Sequence, residues 1–332
     1  MRLRTRGSAL AVVAVCVSAT AACSSSAKSA TAAATTTTAA TVASPAPTGA
    51  GPHLTAAACN RPHRPGQSSH SFTYKGKERT YLLYVPTSYQ GTAKVPLVFN
   101  FHGYGSNASQ QMMLADFGPI ADKNDFLVVA PNGQDSGGRH WAFGQEAGLQ
   151  NDVTMVDALL KRLEGSLCVD ATRVYATGMS DGGAMTAVLA CVSSKTFAAF
   201  AAVAVVIYCG SPQSRAVPIE SYAGSKDPIV PTNGGRVTCC GNPTLPSKAS
   251  TMAKWAAHDA CRAKYTDARI TPHVVRRTWT GCKPGTTSVY YLVEGDGHTW
   301  PGGPSLGSLG HATKEISASA LIWKFFAAHK LS

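Results

Sequence analysis

Apolar residues along this chain gather in short runs, separated by stretches of helical spacing. Thr80–Val85 alternates apolar and polar positions and stops at Pro86, the period of a half-buried strand. Pro96–Phe101 (PLVFNF) and Asp125–Ala130 (DFLVVA) are nearly continuous apolar runs, as expected of strands buried on both faces. The second closes on Pro131-Asn132-Gly133, a turn signal. Val153, Val156, Leu159, Leu160 and Leu163 share one face at helical spacing and predict a helix over 152–164. Arg173–Thr177 predicts a strand leading into a helix from about Gly182 to Cys191. Phe197–Ile207 predicts a helix end followed by a strand. Ile219–Ala223 predicts a further strand, Ser247–Ala260 a helix, Val289–Glu294 the last strand and Lys314–Ala327 a closing helix. Strands alternating with helices predict an α/β fold, a mostly parallel central sheet with helices on both faces. One domain is expected, residues 59–332, with no repeat period.

Ahead of that domain the pattern changes. Arg2, Arg4 and Arg6 precede the apolar run Ala9–Val17, which is too short to span a bilayer, so residues 1–22 read as an export signal. Its end admits two readings. Ala19-Thr20-Ala21 fits an A-x-A cleavage site, and Thr20-Ala21-Ala22-Cys23 resembles a lipobox without its usual Leu, which would lipidate Cys23. Residues 23–58 are mostly Ser, Ala, Thr and Pro; they cannot bury enough apolar surface to offset ordering and are expected to be a flexible tether.

Charge and cysteine content narrow the partners. The formal charge of +12 drops by three without the leader arginines, and the remaining Lys and Arg are scattered, so nucleic acid is not an expected partner. Eight cysteines follow Cys23, an even number in an exported chain, which points to disulfides. No C-x-x-C pairs or H-E-x-x-H occur, and neither a metal nor another cofactor is expected. Membrane contact is expected only through a lipid on Cys23, and the protein is expected to be monomeric.

The sharpest chemical signal is Gly178-Met179-Ser180-Asp181-Gly182-Gly183. A G-x-S-x-G run between a strand and a helix makes a tight turn that lifts the serine oxygen above the sheet. Gly303-Pro304-Ser305-Leu306-Gly307 also matches, but it has no strand before it and reads as a loop. A serine nucleophile needs a histidine base and an acid to orient it, in the order Ser, Asp or Glu, His on this fold. Asp227, just past a predicted strand, and His298, in Gly295-Asp296-Gly297-His298, hold those places. Asp296 is the rival acid, though its spacing suits shaping the turn; His258, His273 and His311 lack the strand-then-glycine setting. Two oxyanion donors are expected: the N–H of Asp181, and that of Tyr104 in His102-Gly103-Tyr104-Gly105, with Gly105 as the fallback. His102 reads as a structural residue beneath the loop. Trp141 and Trp300 are candidate walls of a substrate pocket, with use in the core as the alternative.

Taken together, "RTYLLYVPTSY", "FHGYGSN", "CVDATRVYATGMSDGGAM", "GSKDPIVP", "KWAAHDAC", "WTGC" and "GDGHTWPGG" resemble the esterase family of polyhydroxybutyrate depolymerases, feruloyl esterases and acetylxylan esterases (carbohydrate esterase family 1, α/β-hydrolase fold). The likeness runs from about Phe72 to the C-terminus. It implies a Ser180–Asp227–His298 triad in an extracellular serine esterase whose ester substrate is linked to a polysaccharide or a polyester. Feruloyl or acetyl esters of xylan are the first expectation and short-chain polyhydroxyalkanoate the second. A surface carbohydrate-binding protein on an inactive hydrolase fold is the non-enzyme alternative. The resemblance also implies Cys168–Cys191 and Cys261–Cys282, with Cys59–Cys209 as a guess. Two departures stand out: the adjacent Cys239 and Cys240, whose pairing stays open, and the loop Gly137–Gly148 (GGRHWAFGQEAG), where family members usually carry a Trp-Asn and cysteine-rich loop.

Overall fold

A computed structural model of the chain describes residues 59–135, 138–142, 151–209 and 214–332. The expected leader, the tether and most of the Gly137–Gly148 loop lie outside them. The strands are β1 (Gly66–Tyr74), β2 (Lys77–Val85), β3 (Val95–Phe101), β4 (Leu127–Pro131), β5 (Gln134–Asp135), β6 (Arg139–His140), β7 (Val169–Met179), β8 (Ala199–Val203), β9 (Ile219–Gly224), β10 (Gly235–Arg236), β11 (Thr244–Leu245), β12 (Tyr265–Thr271), β13 (Val274–Trp279) and β14 (Ser288–Val293). The helices are α1 (Ala108–Ala115), α2 (Gly118–Asn124), α3 (Asp152–Ser166), α4 (Asp181–Val192), α5 (Lys248–His258) and α6 (Ala318–Ala327).

Ten strands form one sheet in the order β1-β2-β4-β3-β7-β8-β9-β14-β13-β12. The six from β4 to β14 run parallel, and antiparallel strands finish both ends. Parallel strands need covered faces, and β3 is buried at every position. Its Leu97, Phe99 and Phe101 enter one core layer with Leu159 of α3, Met185 of α4 and Trp255 of α5. Its Val98 points into the opposite layer with Met112 of α1, Ala121 of α2 and Phe326 of α6. This is the mostly parallel, doubly covered sheet that the alternation of elements predicts, in the α/β-hydrolase arrangement that the resemblance implies.

Three expectations change. Phe197–Ile207 contains strand β8 and no helix, because Ala198 N–H already bonds to Val174 O beside β7. The closing helix starts at Ala318 rather than Lys314: the Ser317 side chain caps it by accepting from Ala320 N–H, while Glu315 is drawn to Thr271 and His273.

The disulfides are the third. Cys261–Cys282 forms as the resemblance implies, but Cys168 pairs with Cys59 and Cys191 with Cys209. The first exchange follows from how segment 59–61 is stitched to the start of β7. Arg61 N–H donates to Gly91 O, and the Tyr89 hydroxyl donates to Arg61 O while accepting from Cys168 N–H. Cys191, at the end of α4, is left beside Cys209, with Cα atoms 6.5 Å apart. Cys239 and Cys240 pair with each other.

Candidate active site

Ser180 directly follows β7 and caps α4 with φ 58° and ψ −119°, a backbone region that non-glycine residues enter only under constraint. The constraint is visible: Ser180 N–H donates to Val203 O at 2.9 Å, and Ser180 O accepts from Ala184 N–H at 3.0 Å. The flanking glycines are needed for close approach. A Cβ on Gly178 would lie 2.6 Å from Phe101 O, and one on Gly182 would strike the same carbonyl. So the turn packs against the end of β3 and projects Ser180 from the carboxyl ends of the parallel strands, where α/β sheets hold ligands. Asp181 opens α4, so its N–H has no acceptor within the helix and shares the positive end of the dipole.

Asp227 follows β9 and His298 follows β14, and the two strands are neighbours. His298 Nδ1 lies 2.9 Å from Asp227 Oδ2, with both side chains buried. His298 N–H donates to Leu309 O, fixing the loop. Asp227 Oδ1 accepts N–H groups from Ile229 and Val230 at 2.9 and 2.8 Å. Oδ2 also accepts from the buried ammonium of Lys248, 3.0 Å away on α5. Burial alone would raise the Asp227 carboxyl. The hydrogen bond and charge of His298, the Lys248 charge and the Val230 N–H outweigh it and hold the carboxyl at about 2. Asp227 is therefore ionised at neutral pH. Asp296 is engaged elsewhere, by His311 Nδ1 at 2.8 Å and Thr313 N–H at 3.0 Å, which shapes the loop carrying His298. Ser305 sits in a loop, its oxygen accepting from Ala312 N–H.

Ser180 and His298 line one cavity of about 410 Å³, together with Tyr104 from the loop after β3. That loop passes close to Ser180: a Cβ on Gly103 would lie 3.2 Å from Ser180 Cβ. The Gly105 N–H is committed to Arg139 O at 2.7 Å, which removes the fallback oxyanion donor. Beneath the loop His102 is fully buried, its Nδ1–H facing Gly103 O and its Nε2 accepting from Gly133 N–H. Burial holds this imidazole down at about 4, so it is neutral and structural.

Neither tryptophan lines this cavity, which corrects their expected place as pocket walls. Trp141 is buried edge-on against Phe101; its indole N–H donates to His102 O and its backbone N–H to Asp181 Oδ2, tying the loop after β3 to the start of α4. Trp300 is buried against Phe117 and donates to Ser319 Oγ. Both rings are amphipathic, and the nearest hydrogen-bond acceptors lie in the core. The walls are instead Tyr104, Met113, Leu114, Leu306, Leu309 and the Cys239–Cys240 pair. Sequence reasoning also missed Lys248, which carries no signal distinguishing it from a surface helix lysine. Among the described residues, no cluster of His, Cys, Asp or Glu could hold a metal ion.

Fold and site together define the class: an α/β-hydrolase of the esterase type. Residues 79–247 match the esterase PHB depolymerase family, and the chain belongs to it. It is similar to a probable feruloyl esterase C of Aspergillus flavus, 28% identical over 198 residues, which cover 58% of this chain and 66% of that one. A probable feruloyl esterase C of Aspergillus clavatus is 30% identical over 192 residues, covering 55% and 68%. The chain thus spans about two thirds of the length of these relatives. Among solved structures, an acetyl xylan esterase from Aspergillus awamori shares the fold with a TM-score of 0.57 at 16% identity, covering 79% of this chain and 99% of that one.

Proposed function

We propose that the protein is an exported serine esterase that cleaves feruloyl or acetyl esters on plant cell-wall xylan. The observation that carries this reading is the meeting of Ser180 and His298 at one cavity, with His298 held by an ionised Asp227. With Nδ1–H donated to Asp227, His298 offers Nε2 to take the Ser180 proton as Oγ attacks the ester carbonyl. The N–H groups of Asp181 and Tyr104 would receive the oxyanion, and the His298 imidazolium returns its proton to the leaving alcohol. Water, activated by the same histidine, then releases the acid and frees Ser180. The relatives named feruloyl esterase and the apolar walls of the cavity support an acyl group of aromatic size.

The family description favours a second reading, hydrolysis of short-chain polyhydroxyalkanoate. Export rests on residues 1–22 and on four disulfides, which persist in oxidising compartments; a chain cut at the lipobox would carry its lipid on Cys23, and one cut after Ala21 would carry none. The test is product release from feruloylated arabinoxylan and from a polyhydroxybutyrate suspension, with Ser180→Ala as the blank. Ferulate release supports the first reading, and hydroxybutyrate alone replaces it with the second. A folded wild type that no fluorophosphonate labels would leave only the carbohydrate-binding alternative.

A further inference from the structure

Cys239 and Cys240 lie at the tip of the hairpin that joins β10 to β11, and both line the cavity of Ser180 and His298. The six other cysteines of the described domain pair among themselves, so these two have each other. Disulfides ordinarily stabilise by removing freedom from a long loop of the unfolded chain, and the effect grows with the residues enclosed. Here the sequence separation is 1, so almost no chain is closed. Global stability does not account for this pair; its position does.

The hairpin tip is held to the catalytic acid's own loop. Thr238 N–H donates to Ile229 O, two residues past Asp227, while Val237 N–H donates to Pro243 O and Asn242 N–H to Cys239 O. Cys240, Gly241 and Asn242 all take positive φ, turning the chain sharply behind the pair. Cys239 is half-buried against the small core of Val230 and Val237, and Cys240 is exposed on the cavity side. Bonded neighbours lose the rotor freedom of two separate side chains and present a rigid face without strong hydrogen-bonding groups. Divalent sulfur is polarizable and packs well on aromatic rings. Met113 and Met179 place two further sulfurs on the same cavity, and Tyr104 an aromatic ring.

We propose that the Cys239–Cys240 disulfide is a specificity wall: the aromatic ring of the substrate's acyl group rests on it, and it favours such acyl groups over acetyl. This rests on the esterase reading above and names the element that selects the acyl group.

The test compares the full mature chain with its Cys239→Ser/Cys240→Ser variant on methyl ferulate and methyl acetate, which share an alcohol and differ in the ring. The expected result is a fall of about three- to tenfold in the ratio of kcat/KM for ferulate to that for acetate, carried by KM for ferulate. An unchanged ratio, with both esters still turned over, overturns the wall. A wild type with no Ser180-dependent turnover of either ester defeats the esterase reading instead. Should the variant fail to fold, the wild type is treated briefly with a water-soluble phosphine and alkylated with or without saturating ferulate. Slower labelling of Cys239 and Cys240 under ferulate supports the contact; equal labelling overturns it.

Discussion

Asp181 offers a prediction with an unusual sign. Its side chain, next in the chain to Ser180, is half-buried, and burial raises the carboxyl to about 6 against an ordinary 3.8; the Trp141 N–H and His140 counter this only in part, and Asp152 adds to it. The folded protein therefore binds this proton more tightly than the unfolded chain does. Stability contributed by the group falls as pH rises from about 4 to 6 and stays low above that, the reverse of a salt-bridged carboxylate. A gap of about two pKa units corresponds to about 3 kcal/mol, or about 2 kcal/mol once residual hydration of the half-buried oxygens is allowed for. Asp181→Asn keeps an oxygen for the Trp141 N–H and leaves the backbone N–H in place, yet cannot ionise. At pH 8 the variant should be more stable by about 2–3 kcal/mol, about 4–10 °C in Tm for a domain of this size. At pH 4 the two proteins should melt together. Urea unfolding at both pH values measures this. A gain of equal size at pH 4 and pH 8, or a loss at pH 8, would refute the reasoning.

Other perturbations have the usual signs. Lys248→Met leaves the buried Asp227 without its ammonium and should destabilise by about 3 kcal/mol, read by urea denaturation, with a lower kcat on any ester the wild type cleaves. Gly182→Ala drives a methyl into the Phe101 carbonyl and should cost about 3 kcal/mol, seen as a Tm loss together with lost activity. Asp227 sits at about 2 when folded, below its ordinary 3.8, so it contributes about 2 kcal/mol of stability that is present above pH 4 and lost as pH falls through 2. Asp227→Asn should accordingly flatten the acid limb of stability measured between pH 5 and 2.

The central strands were legible because burial on both faces leaves an unbroken apolar run, as in β3. The hairpin β12–β13 was not: most of β12 is exposed, and pairing through β13 to β14 holds it in place rather than an apolar face of its own. Helices α1 and α2, at 8 and 7 residues, are too short to repeat a period. Ser180, Asp227 and His298 could be singled out because Ser180 directly follows a strand and the other two lie in the short loops just past the ends of β9 and β14. Lys248 could not, since its burial depends on the Asp227 loop folding over the start of α5. Trp141 and Trp300 show the converse limit. Aromatic residues near motifs are equally suited to wall or core, and only the tertiary position of their hydrogen-bond acceptors decides.

The Cys59–Cys168 bond also fixes how the domain bears mechanical load. Strand β1 lies at the outer edge of the sheet, where antiparallel pairing with β2 could be opened one hydrogen bond at a time. A pull arriving through the residues ahead of Cys59 does not reach β1 first. It crosses a covalent bond to Cys168, at the start of the central strand β7 that leads to Ser180. Unzipping is thereby replaced by shear of a strand held on both sides, which demands that many bonds break at once. Drag at the front of the chain is met by the stiffest part of the sheet, and the edge is spared.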